Sequence, residues 1–113
     1  MCTQSEAVQI FREAYLACSK ALNGKVTNGY LYGSYARGDF HEDSDIDILL
    51  TVDMTAEELM KYRHAVSVIN SDLSMEHDVT VSVTVKPLEQ FTRYADTLPY
   101  YKNVLKEGIA YAV

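Results

Sequence analysis

Tryptophan is absent from the 113 residues; proline and cysteine occur twice each, and glycine five times. Cys2 and Cys18 provide neither a disulfide framework nor the paired spacings of a zinc site, so two reduced thiols are expected. So few glycines and prolines leave no linker, and no repeat or low-complexity segment is present. No apolar run approaches the ~20 residues that span a bilayer. The opening Met1-Cys2-Thr3-Gln4-Ser5-Glu6 lacks the basic and apolar regions of a signal peptide, so a cytoplasmic location is expected. Positive charge is scarce: Lys and Arg number 10 against 16 Asp and Glu, a net −6. That excludes the basic face of a duplex-binding protein and disfavours docking on an anionic membrane. A polyphosphate ligand stays compatible, because metal ions can offset the local negative charge.

What is present is the balance of a globular protein, 48% apolar and 23% charged. The length fits one domain over residues 1–113. Thr3-Gln4-Ser5-Glu6 has the form of a helix-opening capping box, and Val8, Phe11, Tyr15, Cys18 and Leu22 then recur every three or four residues. Asn23-Gly24 ends that helix. Val26 to Tyr32 reads as a strand weakened by Gly29, and Asp45 to Val52 as a second with Ile46, Ile48 and Leu50 on one face. Thr55-Ala56-Glu57-Glu58 opens another helix, whose stripe is Leu59, Tyr62, Val66 and Ile69. Asp78 to Val85 alternates valine with polar residues and predicts a third strand. Pro87 and Pro99 start short helices. Leu88, Phe91, Tyr94 and Ala95 share a face on the first, and Gly108 closes the second. Ile109 to Val113 is compatible with an edge strand. The expected fold is α/β, a mixed sheet with helices mainly on one side.

Two neighbouring features point to chemistry. Gly33-Ser34 follows a strand directly; glycine lets the backbone approach a phosphate, the Ser34 hydroxyl adds a donor, and Arg37 offers a fork for phosphate oxygens. Arg37 pairing with Asp39 or Glu42 is the competing surface role. Ser44-Asp45-Ile46-Asp47 opens the next strand, where residues i and i+2 project to one face with Cα atoms roughly 7 Å apart. Adjacent carboxylates repel, and two divalent cations about 3.5–4 Å apart remove that penalty and clamp a phosphoryl group. Magnesium, a hard cation, suits such oxygen donors. His41, His64 and His77 show no ligand spacing. Most of the nine tyrosines fall on apolar stripes and are expected to pack; Tyr35 is expected exposed beside the phosphate turn.

Gly33-Ser34-Tyr35-Ala36-Arg37-Gly38, followed after a spacer by Ser44-Asp45-Ile46-Asp47-Ile48-Leu49, resembles the signature of the minimal nucleotidyltransferases of the DNA polymerase beta superfamily. The resemblance runs from the first helix to about Gly108 and includes the tail Leu98-Pro99-Tyr100-Tyr101-Lys102-Asn103-Val104. It implies a magnesium-dependent enzyme, with ATP or another nucleoside triphosphate as substrate and two Mg2+ ions. Gly33 and Ser34 would bind the triphosphate, with Arg37 beside them, and Asp45 and Asp47 would hold metal. One metal would activate the acceptor hydroxyl, and the other would stabilise the departing pyrophosphate. A third acid on a later strand completes such sets, and Asp78 is the match, with Glu76 a competitor and His77 replacing the usual apolar residue. Family members often accompany a HEPN toxin ribonuclease and place AMP on one of its tyrosines, so a HEPN-type toxin is the implied acceptor. The chain has little room for its own acceptor-binding domain, which also favours a macromolecular acceptor. The rival readings are an antitoxin acting by contact alone and a transferase to small molecules. A homo-oligomer is compatible with the sequence.

Overall fold

The first helix begins where the sequence places it. Thr3 accepts from the Glu6 amide at 3.1 Å while Glu6 reaches back to the Thr3 amide at 3.3 Å. In the computed structural model, which describes residues 2–111, α1 runs Gln4–Ala21 and ends at the left-handed pair Asn23 and Gly24. Strand β1 (Val26–Tyr32), the single-turn helix α2 (Ser34–Arg37) and β2 (Ile46–Val52) follow. Then come α3 (Ala56–Met60), α4 (Arg63–His77), β3 (Val81–Pro87), α5 (Leu88–Tyr94), α6 (Pro99–Glu107) and β4 (Ile109–Ala110). The expected edge strand is thus two residues long in the described chain, and residues 112–113 lie outside it.

The sheet is mixed, in the order β3-β2-β1-β4, with β1 antiparallel to β2 and β4, and β2 parallel to β3. Its two faces are unequal. The larger core joins Ala7, Ile10, Phe11, Ala14 and Cys18 of α1 to Ile46, Ile48, Leu50 and Val52 of β2, with Leu73 of α4. The smaller cluster lies across the sheet, where Leu49 packs against Phe91, Tyr101 and Val104 of α5 and α6. Gly29 stays in its strand because a Cβ there would stand 2.7 Å from the Tyr15 ring and 2.9 Å from Leu50. Burial pushes the Cys18 thiol up to about 11, so it stays protonated and unreactive at neutral pH.

Three local expectations change. The single helix read from Leu59 to Ile69 is two, broken at Lys61-Tyr62, yet Leu59, Tyr62, Val66 and Ile69 still reach the main core from both pieces. Tyr94 does not share the buried face of Phe91 but is 41% exposed. The third strand starts at Val81 rather than Asp78, since Asp78 takes left-handed angles (φ 51°, ψ 45°) that end α4 and turn the chain.

Strand β3 is an edge of the sheet, and α4 caps its outward groups. The Val83 amide donates to Asn70 Oδ1 at 2.7 Å, and the Val81 amide donates to Ser74 Oγ at 2.9 Å. The two acceptors are one helical turn apart, so a single helix face substitutes for a missing neighbour strand. Asn70→Ala leaves the Val83 amide without its partner and is expected to cost about 1–3 kcal/mol in urea unfolding. A midpoint equal to that of the parent chain would remove this role from Asn70.

Candidate active site

Strand β2 delivers the acids. Ile46 and Ile48 are buried in the main core, so alternation turns Asp47 and Leu49 to the other face. Asp45 stands just before the strand, exposed, while Asp47 is half-buried. Burial first, and then the charge of Asp45, raise the Asp47 carboxyl above the usual carboxylate range; Arg37 pulls it back only in part. Two acids therefore meet at one strand end with their repulsion only partly relieved.

The turn before α2 closes onto this pair. Gly33 has φ 79° and ψ −158°, a region that residues with a side chain avoid, and a Cβ there would stand 2.5 Å from Asp47 Oδ2. Backbone and carboxylate touch because residue 33 has no side chain. The Ala36 and Arg37 amides both donate to the Gly33 carbonyl at 3.1 Å, winding the single turn that carries Ser34 and Arg37. Arg37 Nε donates to Asp39 at 3.2 Å, and Nη1 donates to Glu107 Oε2 at 3.1 Å. Of the partners expected on the surface, Asp39 is taken; Glu107 is new.

Tyr35 departs from its expectation. It is fully buried, with its ring stacked on Phe40 at 4.4 Å, and its carbonyl accepts from Gln4 Nε2 at 2.8 Å. A one-turn helix lying on the sheet must bury one of its residues, and here the aromatic one goes inward.

Asp78 closes α4 instead of opening a strand, and it is exposed. It does share with Asp45, Ser44 and Thr80 the lining of a cleft of about 240 Å³ at the end of β2 and β3. On β3 the residue paired with Asp47 is Ser82, and on β1 it is Tyr32. The flanks of Asp47 are thus hydroxyl-bearing, which Ser82 and Tyr32 announced only through strand register. Tyr32 bonds the Tyr100 hydroxyl at 2.7 Å; burial, that bond and the Tyr100 and Asp47 charges hold its phenol far above the ordinary range, so it stays neutral. Glu76 points elsewhere. Among the described residues, the three metal-ligating side chains that converge are Glu13, Glu76 and His77, where α1 meets α4 and His77 Nε2 lies 2.6 Å from Glu13. His41 and His64 are exposed.

A glycine bend thus presses on a strand carboxylate, with a second acid two residues away. Residues 13–111 match the model of the nucleotidyltransferase domain. Two proteins of Methanocaldococcus jannaschii, each named "putative protein adenylyltransferase", are 30% identical over 96 and 97 residues. Those matches cover 85% and 86% of this chain and 95% and 89% of the relatives. The chain belongs to the nucleotidyltransferase family. It is accordingly a nucleotidyltransferase enzyme, of the minimal type resembled by its sequence.

The fold agrees with that membership. A solved toxin–antitoxin structure, a mutant MntA–HpeT pair, aligns with 96% of this chain and 71% of its own at a TM-score of 0.53 and 17% identity. A second toxin–antitoxin structure, with AMP-PNP, aligns with 85% and 70% at 0.54 and 24% identity. Both likenesses establish the nucleotidyltransferase fold for this mixed sheet and its helices. Among the described residues, no helix is long and apolar enough to cross a membrane.

Proposed function

We propose that this nucleotidyltransferase moves AMP from ATP to a hydroxyl on a partner protein in a magnesium-dependent reaction. The observation that carries the reading is the contact between Gly33 and the Asp47 carboxylate, which sets a phosphate-binding bend against an acid pair. The donor set fits a hard divalent cation. Asp45 is close enough to Asp47 for its charge to add to burial in raising the Asp47 carboxyl, and carboxylate oxygens are what such a cation prefers. Asp45 and Asp47 would hold the ions. Gly33 and Ser34 would receive the triphosphate, with Arg37 on its oxygens. When bound, magnesium supplies charge neutralisation on the phosphates and a more acidic acceptor hydroxyl.

Asp78 is assigned to the acceptor side because it shares the cleft with Asp45, although Ser82 holds the strand position opposite Asp47. The reaction balances simply: the acceptor oxygen bonds the α-phosphorus, the bond to pyrophosphate breaks, and the hydroxyl proton passes to a carboxylate or to solvent. Support for a protein acceptor and for adenylyl transfer comes from the names of the two relatives. A toxin as that acceptor is the extension suggested by the two structural neighbours, and the HEPN type comes from the sequence resemblance alone.

The test is incubation with labelled ATP, magnesium and the candidate toxin, followed by intact-mass measurement of that toxin. The toxin is expected to gain one adenylyl group with the parent chain and none without magnesium. A toxin silenced with its mass unchanged would instead assign the antitoxin role to contact alone.

A further inference from the structure

The contact that ties α6 to α2 centres on Arg37. Arg37 ends a single-turn helix and is exposed, so its long side chain would sample many rotamers if nothing held it. Two carboxylates from opposite directions hold it. Asp39 takes Nε from within the same loop, and Glu107 takes Nη1 from the last turn of α6, 70 residues along the chain. A guanidinium has five N–H donors, and these two bonds leave the Nη2 edge unengaged by either acid. Arg37 N bonds the Gly33 carbonyl, so the held guanidinium is borne by the same turn that presses on Asp47.

Helix α6 is itself fixed to the sheet. Tyr101 and Val104 are buried against Leu49, and the Tyr100 hydroxyl bonds Tyr32, the strand partner of Asp47. Glu107 therefore acts from a helix packed on the sheet, bonded to the strand neighbour of Asp47 and paired with Arg37 on the Gly33 turn.

We infer that Glu107 is a positioning residue, which orients the Arg37 guanidinium toward the phosphates of a bound nucleoside triphosphate. The inference rests on the nucleotide site proposed above. The opposite role, an acid that competes with phosphate for Arg37, makes the reverse prediction, so the sign of the effect decides between them.

The experiment is a double-mutant cycle read by calorimetric binding of a nonhydrolysable ATP analogue with magnesium to the full chain. Glu107→Ala is expected to weaken binding about two- to fivefold, the scale of a partly exposed ion pair. Glu107→Asp is expected to recover part of that loss. In an Arg37→Ala background the same Glu107→Ala change is expected to do nothing further, because its effect passes through Arg37. Equal losses in both backgrounds would mean that Glu107 serves only α6, and the inference would be overturned; tighter binding by Glu107→Ala overturns it in favour of competition. If the parent chain binds no analogue, the nucleotide site itself falls and Glu107 loses its role with it, an outcome distinct from binding without coupling. Thermal melting of all five chains separates unfolding from lost affinity.

Discussion

Asp47→Asn is expected to abolish adenylyl transfer and, at the same time, to make the metal-free protein more stable at neutral pH. The first effect follows from removing one of the two carboxylates proposed to hold the cations. Losing a single preorganised electrostatic group costs on the order of 10²–10³-fold in rate, and a direct metal ligand should lie at or beyond the top of that range. The second effect follows from linkage. The Asp47 pKa is raised in the folded chain, by burial and then by Asp45, so the folded state holds this proton more tightly than the unfolded state does. The corresponding stability is present below the ordinary carboxylate pKa and is lost as pH rises through the raised value. Above it, an ionised Asp47 is a charge that Arg37 compensates only in part in a half-buried place, and asparagine is not. The melting temperature of the variant should therefore exceed that of the parent near pH 7, and the gap should close in acid. Magnesium with nucleotide should raise the parent's melting temperature by mass action and leave the variant's unchanged. An Asp47→Asn protein that transfers AMP at the parental rate would take the reaction away from this strand.

Gly33→Ala should damage the site through two separate effects. The backbone at Gly33 lies in a region open to glycine alone, which costs another residue about 1–3 kcal/mol. The added methyl would also stand 2.5 Å from Asp47 Oδ2, so the carboxylate or the turn must move. A shift of about 1 Å at reacting groups costs on the order of 10²-fold. Gly38 supplies the control. It too has positive φ, 88°, but a Cβ there would meet nothing within 4 Å. Gly38→Ala should therefore show the backbone strain without the collision: a lower urea midpoint with most transfer retained. Comparable loss of transfer in both variants would mean that turn stability, rather than contact with Asp47, governs the site.

The stability of the fold and the demands of the site pull in different directions at Asp47 and Gly33. An isolated sheet would prefer a neutral residue at 47 and would not need a glycine-only bend at 33. Both choices fit the proposed role of this strand end, holding cations beside a phosphate. Arg37, by contrast, gains from the fold, since α6 supplies the acid that fixes it.

Much of this architecture follows from local pattern. The capping boxes at Thr3 and Thr55, the stop at Asn23-Gly24, the alternation that sends Ile46 and Ile48 inward and Asp47 outward, and the Pro99–Gly108 limits of α6 each involve residues within about one helical turn or two strand positions. Interactions of that range repeat with fixed periods, and so they can be seen in a chain of letters. Tertiary structure decided the rest. It chose Ser82 and Tyr32 as the neighbours of Asp47, because register depends on how whole strands align. It turned Asp78 into a helix cap, buried Tyr35 under α1's end, and added a second packed layer where α5 and α6 meet Leu49. It also joined Arg37 to Glu107 across 70 residues, a meeting that no local periodicity encodes because only the packing of α6 on the sheet brings the two charges together.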